Sequence, residues 1–293
     1  ISSTIIDFQT LVIIRFLTGL LGHGVGFALG VAAIGRTNNP DKNFAYSVAS
    51  QVIMGSITAL VVPITIAKYG IAGMCVPAVL IALLTLLFVK NLKDPEKNNG
   101  QESSSATPKG ILILPLIGLF IMVIWQMGVG PFFNNLVPFG LSINLKGDEI
   151  GTALFLSTGL SIMGPLAASA LASKINRSVA ISSALILQII IVLSFQGDMD
   201  WYGFTIRAIL FQTSWNFAGP FLMGMVANVD KTGQYSVLIP ASQLGGISIG
   251  HAVIASLIQG NNLALVNYFC AGVILISILL YLLSSKQLNK INQ

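Results

Sequence analysis

The chain has 293 residues, 54% of them hydrophobic and 9% charged, where soluble domains carry about a quarter charged residues. That balance excludes a soluble globular domain, because nine long apolar segments without continuous polar faces cannot all be buried in one water-exposed bundle. The net charge of +5 is then no nucleic-acid footprint and fits basic loops beside an anionic lipid leaflet.

In chain order the segments cover residues 9–34, 44–67, 70–89, 111–139, 152–173, 179–195, 203–229, 235–258 and 264–285. Each is close to or above the ~20 residues that an α-helix needs to cross a bilayer core. Eleven of the fifteen Lys and Arg residues fall in the gaps after segments one, three, five, seven and nine, against two (Lys68 and Lys146) on the opposite side. Cytoplasmic loops carry such an excess. The expectation is an all-α, multi-pass protein of the cell inner (plasma) membrane with its C-terminus in the cytoplasm.

Residues 90–110 interrupt the pattern of short loops with a charged, Ser-rich, Pro-flanked stretch that reads as a flexible cytoplasmic linker. Three segments precede it and six follow. The predicted organisation is a partial N-terminal bundle over 1–89, the linker, and a C-terminal six-helix bundle over 111–293. Two observations support paired halves. Arg15 and Gln51 recur as Arg207 and Gln243 at an offset of 192 residues, and Tyr46-Ser47-Val48 recurs as Tyr235-Ser236-Val237 with a three-residue slip. Parallel halves of six spans each are a known transporter plan. On that plan, with an odd span count and Ile1 as first residue, three upstream helices are expected to be missing, leaving nine of twelve.

Several motifs carry a resemblance. The first segment holds Arg15-Phe16-Leu17-Thr18-Gly19-Leu20-Leu21-Gly22, with Gly22, Gly26 and Gly30 on one helix face, a small-residue stripe suited to close packing in lipid. Gly159 to Gly164 and Pro165, continuing into Ala172-Ser173-Lys174-Ile175-Asn176-Arg177, combines Gly, small and basic residues at a loop. Asp230-Lys231-Thr232-Gly233 is a short acidic-Gly loop. With these features the chain resembles the major facilitator superfamily of secondary transporters, most nearly its bacterial sugar-efflux and drug-efflux members. The resemblance implies that the nine segments are helices four to twelve of that fold. It also implies that Gly164, Pro165, Lys174, Arg177 and Asp230 belong to gating loops that latch the inward-closed arrangement. One departure is plain: the fifth-helix motif of proton-coupled exporters is replaced by Ser50-Gln51-Val52-Ile53-Met54-Gly55-Ser56.

All ten acidic residues fall in loops or at span ends, whereas proton-coupled carriers use an embedded carboxylate. Coupling would then fall to the missing helices or to His23 and His251, which titrate near neutrality; a neutral His bonded to a neighbouring helix is the alternative. Arg15 and Arg207, within apolar segments, either face a cavity or brace helices. Polar and aromatic candidates to meet a solute are Gln51, Trp125, Gln126, Asn134, Asn135, Gln212, Trp215, Asn216 and Gln243; Gln212 and Asn216 share a helix face. Trp201, at an outer boundary, fits an interfacial anchor. Gly128, Gly130 and Pro131 are expected to loosen the fourth segment. Cys75 and Cys270 read as small buried hydrophobes, and no cofactor or metal is expected.

The functional expectation is a monomeric secondary transporter of a small organic solute, with protons as a candidate coupling ion. It works by alternating access and is no enzyme. A membrane-embedded transferase and an uptake symporter of the same fold are the competing readings. The topology is testable: single cysteines at Asn98 and Asn176 should label only from the cytoplasm, and one at Gly197 only from outside. External labelling at either of the first two in sealed cells would overturn the orientation.

Overall fold

A computed structural model describes residues 7–19, 24–70, 72–89, 109–230, 233–257 and 263–289. Among these, all regular structure is helical: α1 (Phe8–Thr18), α2 (Val25–Gly35), α3 (Pro40–Tyr69), α4 (Ala72–Val89), α5 (Lys109–Asn134), α6 (Leu136–Ser142), α7 (Gly147–Leu160), α8 (Met163–Leu171), α9 (Arg177–Ser194), α10 (Trp201–Val229), α11 (Ile239–Leu257) and α12 (Leu263–Asn289), with a 3-10 turn at Ser236–Leu238 before α11. Six stretches are long and apolar enough to cross a bilayer: Pro40–Tyr69, Ile113–Asn134, Gly147–Leu171, Arg177–Ser194, Ser236–Ser256 and Leu263–Ser285. The protein is a helical membrane protein.

The helices start earlier than the apolar runs because their first turns are polar caps. Asn39 accepts from the amide of Lys42 at 3.2 Å with Pro40 opening α3. Asn176 accepts from Ser178 at 2.8 Å and Asp200 from Gly203 at 2.8 Å. At α7 the Glu149 carboxylate reaches back to the amide of Lys146 at 2.8 Å. Each cap satisfies an amide that helix geometry leaves unpaired. α3 ends at Gly70, whose φ of 62° suits the residue without a Cβ.

Two expected spans differ in detail. The first segment is described as two short helices, α1 and α2, with residues 20–23 outside the described set. The expected linker lies outside it too, except that Lys109 and Gly110 already belong to α5. The fifth segment is split into α7 and α8 at Ser161 and Ile162. Pro165 explains the split: it has no amide hydrogen to donate, and its ring crowds the carbonyl four residues back, which is Ser161.

α5 forms the spine of the second half, packed along α11 and α12. Its contacts correct the expectation that Gly128 and Gly130 loosen it: α5 stays helical through both, to Asn134, and they serve close packing. A Cβ on Gly128 would stand 2.8 Å from the carbonyl oxygen of Cys270 on α12, and one on Gly130 would stand 2.5 Å from the Ile247 side chain on α11. In return, Gly246 and Gly250 of α11 lie against the carbonyls of Val123 and Met127. The Met127 carbonyl is the one that Pro131, four residues on, cannot bond, so the Gly250 Cα–H takes up an otherwise idle acceptor. In lipid, where apolar burial between helices gains little, such approach of backbones drives association.

At the end away from the basic loops an aromatic cluster fills the second half, with Phe132 against Phe211 and Phe195 (ring centroids 4.5 and 5.2 Å) and Phe195 against Phe139 and Phe204. Cys270 is buried, Cys75 half-buried, and both are free thiols. Replacing Gly250 by Val should lower stability by about 1–3 kcal/mol through overpacking, read as a lower thermal midpoint in detergent. Gly151, around which nothing lies within 4 Å, should tolerate the same change.

Candidate functional site

The first-half helices α2 and α3 meet the second half mainly at the end that bears the basic loops. Asp41 sits in the first turn of α3, and Arg177 opens α9. The two form an ion pair, Nη2 to Oδ2 at 2.7 Å with Nε at 3.3 Å, their side chains 12% and 10% exposed. Two nearly dehydrated charges hold together only when paired. The second carboxylate oxygen, Oδ1, is buried with no conventional donor. It rests where a Cβ of Gly224 on α10 would be, so the Gly224 Cα–H points at it, a weak but favourable contact. Nearby, Gly35 at the end of α2 lies against Ala227 and Ser236, and Arg36 lies over Gly233, whose φ is 73°. Asp230 is buried and accepts from the amides of Tyr235 and Ser236 (2.9 and 2.7 Å) and the Ser236 hydroxyl (2.9 Å). It thereby caps the turn that leads into α11.

Away from this end the halves part. The buried positions of α3 are Pro40, Asp41, Phe44, Ala45, Ala49 and Val52. A Cβ added to Gly55 would still stand 3.9 Å from Thr158, and one added to Gly159 3.9 Å from Ser56. From there to Tyr69 the described side chains of α3 are exposed or half-exposed.

At the level where α3 departs, α7 and α10 share a polar seam. The Ser157 hydroxyl donates to Gln212 Oε1 at 2.9 Å, Gln212 Nε2 reaches Thr158 Oγ at 3.4 Å, and Asn216 Nδ2 donates to Ser161 Oγ at 2.9 Å. Ser161 and Asn216 each lie four residues before a proline, Pro165 and Pro220. The two loosened turns are thus stitched to each other by side chains. Above them Trp215 packs edge-on to Phe133 at 5.8 Å. There, too, Asn134 Nδ2 lies 3.0 Å from His251 Nε2.

The sequence candidates thus fall in two sets: Gln212 and Asn216 on the α7–α10 seam, with Trp215 against Phe133 of α5, and Asn134 beside His251, with half-buried Gln243 about two turns before it on α11. Others are placed differently. Trp125 is fully buried, and its indole donates to Gln188 on α9 at 2.9 Å; this corrects its cavity reading, because a tryptophan facing the inside of its own bundle meets no solute. Gln126 is 3% exposed, with its backbone side against Gly246. Asn135 turns its amide to the Pro131 carbonyl at 2.8 Å, closing the end of α5. Gln51 is exposed and reaches Ser47 on its own helix. Arg207 donates from Nε to Ser194 at the end of α9, at 3.1 Å, a bracing contact away from the seam. Trp201, read as a lipid anchor, donates its indole hydrogen to the Glu149 carbonyl at 2.8 Å and so ties α10 to α7. Gly164 lets α8 approach the α10 backbone at Thr213, Pro165 is buried beside it, and Lys174 is exposed. The Arg15 side chain and His23 lie outside the described residues.

Asp41 is the residue that sequence reasoning passed over. A signal existed, since Asp41 and Asp230 differ by 189 residues, the same offset as Tyr46 and Tyr235. No protein-family model matches the chain, and no curated protein is significantly similar to it.

Changing Asp41 to Ala should cost about 3–5 kcal/mol by leaving Arg177 buried without its partner. The Asp41→Ala/Arg177→Ala double variant should recover much of that loss. Gly224→Ala, which places a methyl on Oδ1, should resemble Asp41→Ala while keeping both charges. Thermal midpoints of the wild type, Asp41→Ala, Arg177→Ala and the double variant check the cycle, and additive losses would remove the coupling.

Proposed function

We propose that this protein is a secondary transporter that moves a small organic solute by alternating access, built on the major-facilitator plan suggested by its sequence. The observation that carries the reading is the uneven junction between the halves. Tight contact and an ion pair bind them at the basic end, and α3 leaves the second half at the depth of the polar and aromatic seam. In transporters, solute sites lie near the bilayer midplane between the two halves, beside helices broken by proline or glycine. The Ser161 break and the proline-loosened turn of α10 fall near the middle of their apolar stretches, which fits such a site.

In this reading Gln212, Trp215 and Asn216, with Ser157, Thr158 and Ser161, form the solute-facing wall. Amides and hydroxyls offer donors and acceptors, and the Trp215 face offers an apolar stacking surface. Arg177–Asp41 is the latch of the form closed at the basic end, which the positive-inside pattern makes cytoplasmic. Opening that end requires the pair to separate and both charges to rehydrate, so the latch energy sets how strongly the closed form is favoured.

Paired spin labels test the motion. On a variant with Cys75 and Cys270 replaced by Ser, one pair joins Lys42 to Lys174 at the basic end and another joins Ile64 to Gly151 at the far end. In lipid nanodiscs each pair should show two distance populations. Asp41→Ala should lengthen the first distance and shorten the second. Single, unchanged distances for both pairs would overturn alternating access.

A further inference from the structure

His251 is held by two hydrogen bonds that define its chemistry. Its Nδ1 lies 2.8 Å from the carbonyl oxygen of Ile247, one turn back on α11. A carbonyl can only accept, so Nδ1 carries the ring hydrogen. Its Nε2 faces the amide nitrogen of Asn134 at 3.0 Å, and that nitrogen can only donate. Nε2 therefore presents its lone pair, and the neutral tautomer is set by the surroundings. The ring is half-exposed and Asn134 exposed, so the lone pair is within reach of protons from outside the packed bundle. His251 stands ~18 Å along α11 from its first residue and ~9 Å from its last, at 1.5 Å per residue.

The surroundings hold no competing charge among the described residues. α11 has no other ionisable side chain, and neither α2 nor the 3-10 turn has one. α5 contributes Lys109, at its opposite end. On α12 the titratable groups are Tyr268, bonded to Gln196, the buried thiol of Cys270, Tyr281, bonded to Ser178, and Lys286 near the basic end. A proton arriving at Nε2 is thus neither shared with a carboxylate nor opposed by a nearby cation.

We infer that Nε2 of His251 is a proton-binding site and that Asn134 is its gate. The neutral ring accepts the Asn134 hydrogen. The protonated ring donates at both nitrogens, so Asn134 has to turn its Oδ1 toward the ring or withdraw. Asn134 is the last residue of α5, directly before the break at Asn135. Protonation thereby reverses the bond that ties the end of α5 to α11 and places a positive charge there. The proton site stands on local geometry alone; its role as the coupling-ion site rests on the transporter reading.

The chain has two histidines, so His23→Gln leaves one imidazole to observe. Nitrogen-15 NMR of that variant in nanodiscs should show Nδ1 protonated and Nε2 bare at high pH. Both nitrogens should be protonated at low pH. The Asn134 hydrogen favours the neutral ring, so Asn134→Ala should move the change to higher pH, and Asn134→Asp should move it further, because an adjacent carboxylate favours the imidazolium. A neutral form protonated at Nε2, no protonation of Nε2 on acidification, or the same change in all three proteins would overturn the proposal. The same spin-label distances separate the two readings. A titrating His251 with fixed distances sinks transport alone, and moving distances with a silent His251 sink the proton site alone.

Discussion

The cost of a polar side chain without a partner in hydrocarbon governs this structure, and α10 is where it acts. This 29-residue helix is not among the six most apolar long helices, because Arg207, Gln212 and Asn216 lie within it, yet it has the longest run of buried residues. α3, α5, α7, α8 and α9 all pack on it. Arg207 finds Ser194 of α9, and Gln212 and Asn216 find the hydroxyls that end α7. α10 can carry these polar groups because the helices packed on it supply their partners.

Around that centre, glycine and proline work as a pair. Proline withdraws an amide hydrogen and leaves a carbonyl or a loosened turn four residues back. Glycine on the neighbouring helix approaches closely enough to answer it, as Gly250 does at Met127. Where no glycine faces the loosened turn, side chains take over, as Asn216 and Ser161 do. The second kind leaves groups that can exchange partners, which is what a solute site needs; the first kind makes rigid spine.

Two aspartates at the basic end are used differently. Asp41 and Asp230 are 189 residues apart, as Tyr46 and Tyr235 are, and each lies near the entry to a long helix. Asp230 turns inward and caps the turn before α11 with three hydrogen bonds. Asp41 reaches across to Arg177, because Asn39 already caps α3 and leaves the carboxylate unemployed. The Asp41–Arg177 ion pair thus depends on a cap supplied two residues earlier.

The sequence alone determined the helical class, the long apolar helices and the sorting of basic residues among the loops. These follow from composition and length, which need no knowledge of neighbours. It also marked Gln212 and Asn216 as sharing a helix face, since they are four residues apart. Which face looks inward was decided only by the tertiary structure. In a water-soluble helix polarity marks the outer side, whereas here both lipid and protein interior are apolar, so the pattern carries no such sign. For that reason Trp125 read as a cavity residue and proved to be core, and Arg207, left open between cavity and brace, is found bonded to Ser194 of α9. The partner of Arg177 lay 136 residues away, and only the packing of α3 across α10 brought the two charges together in a space that Gly224 leaves open.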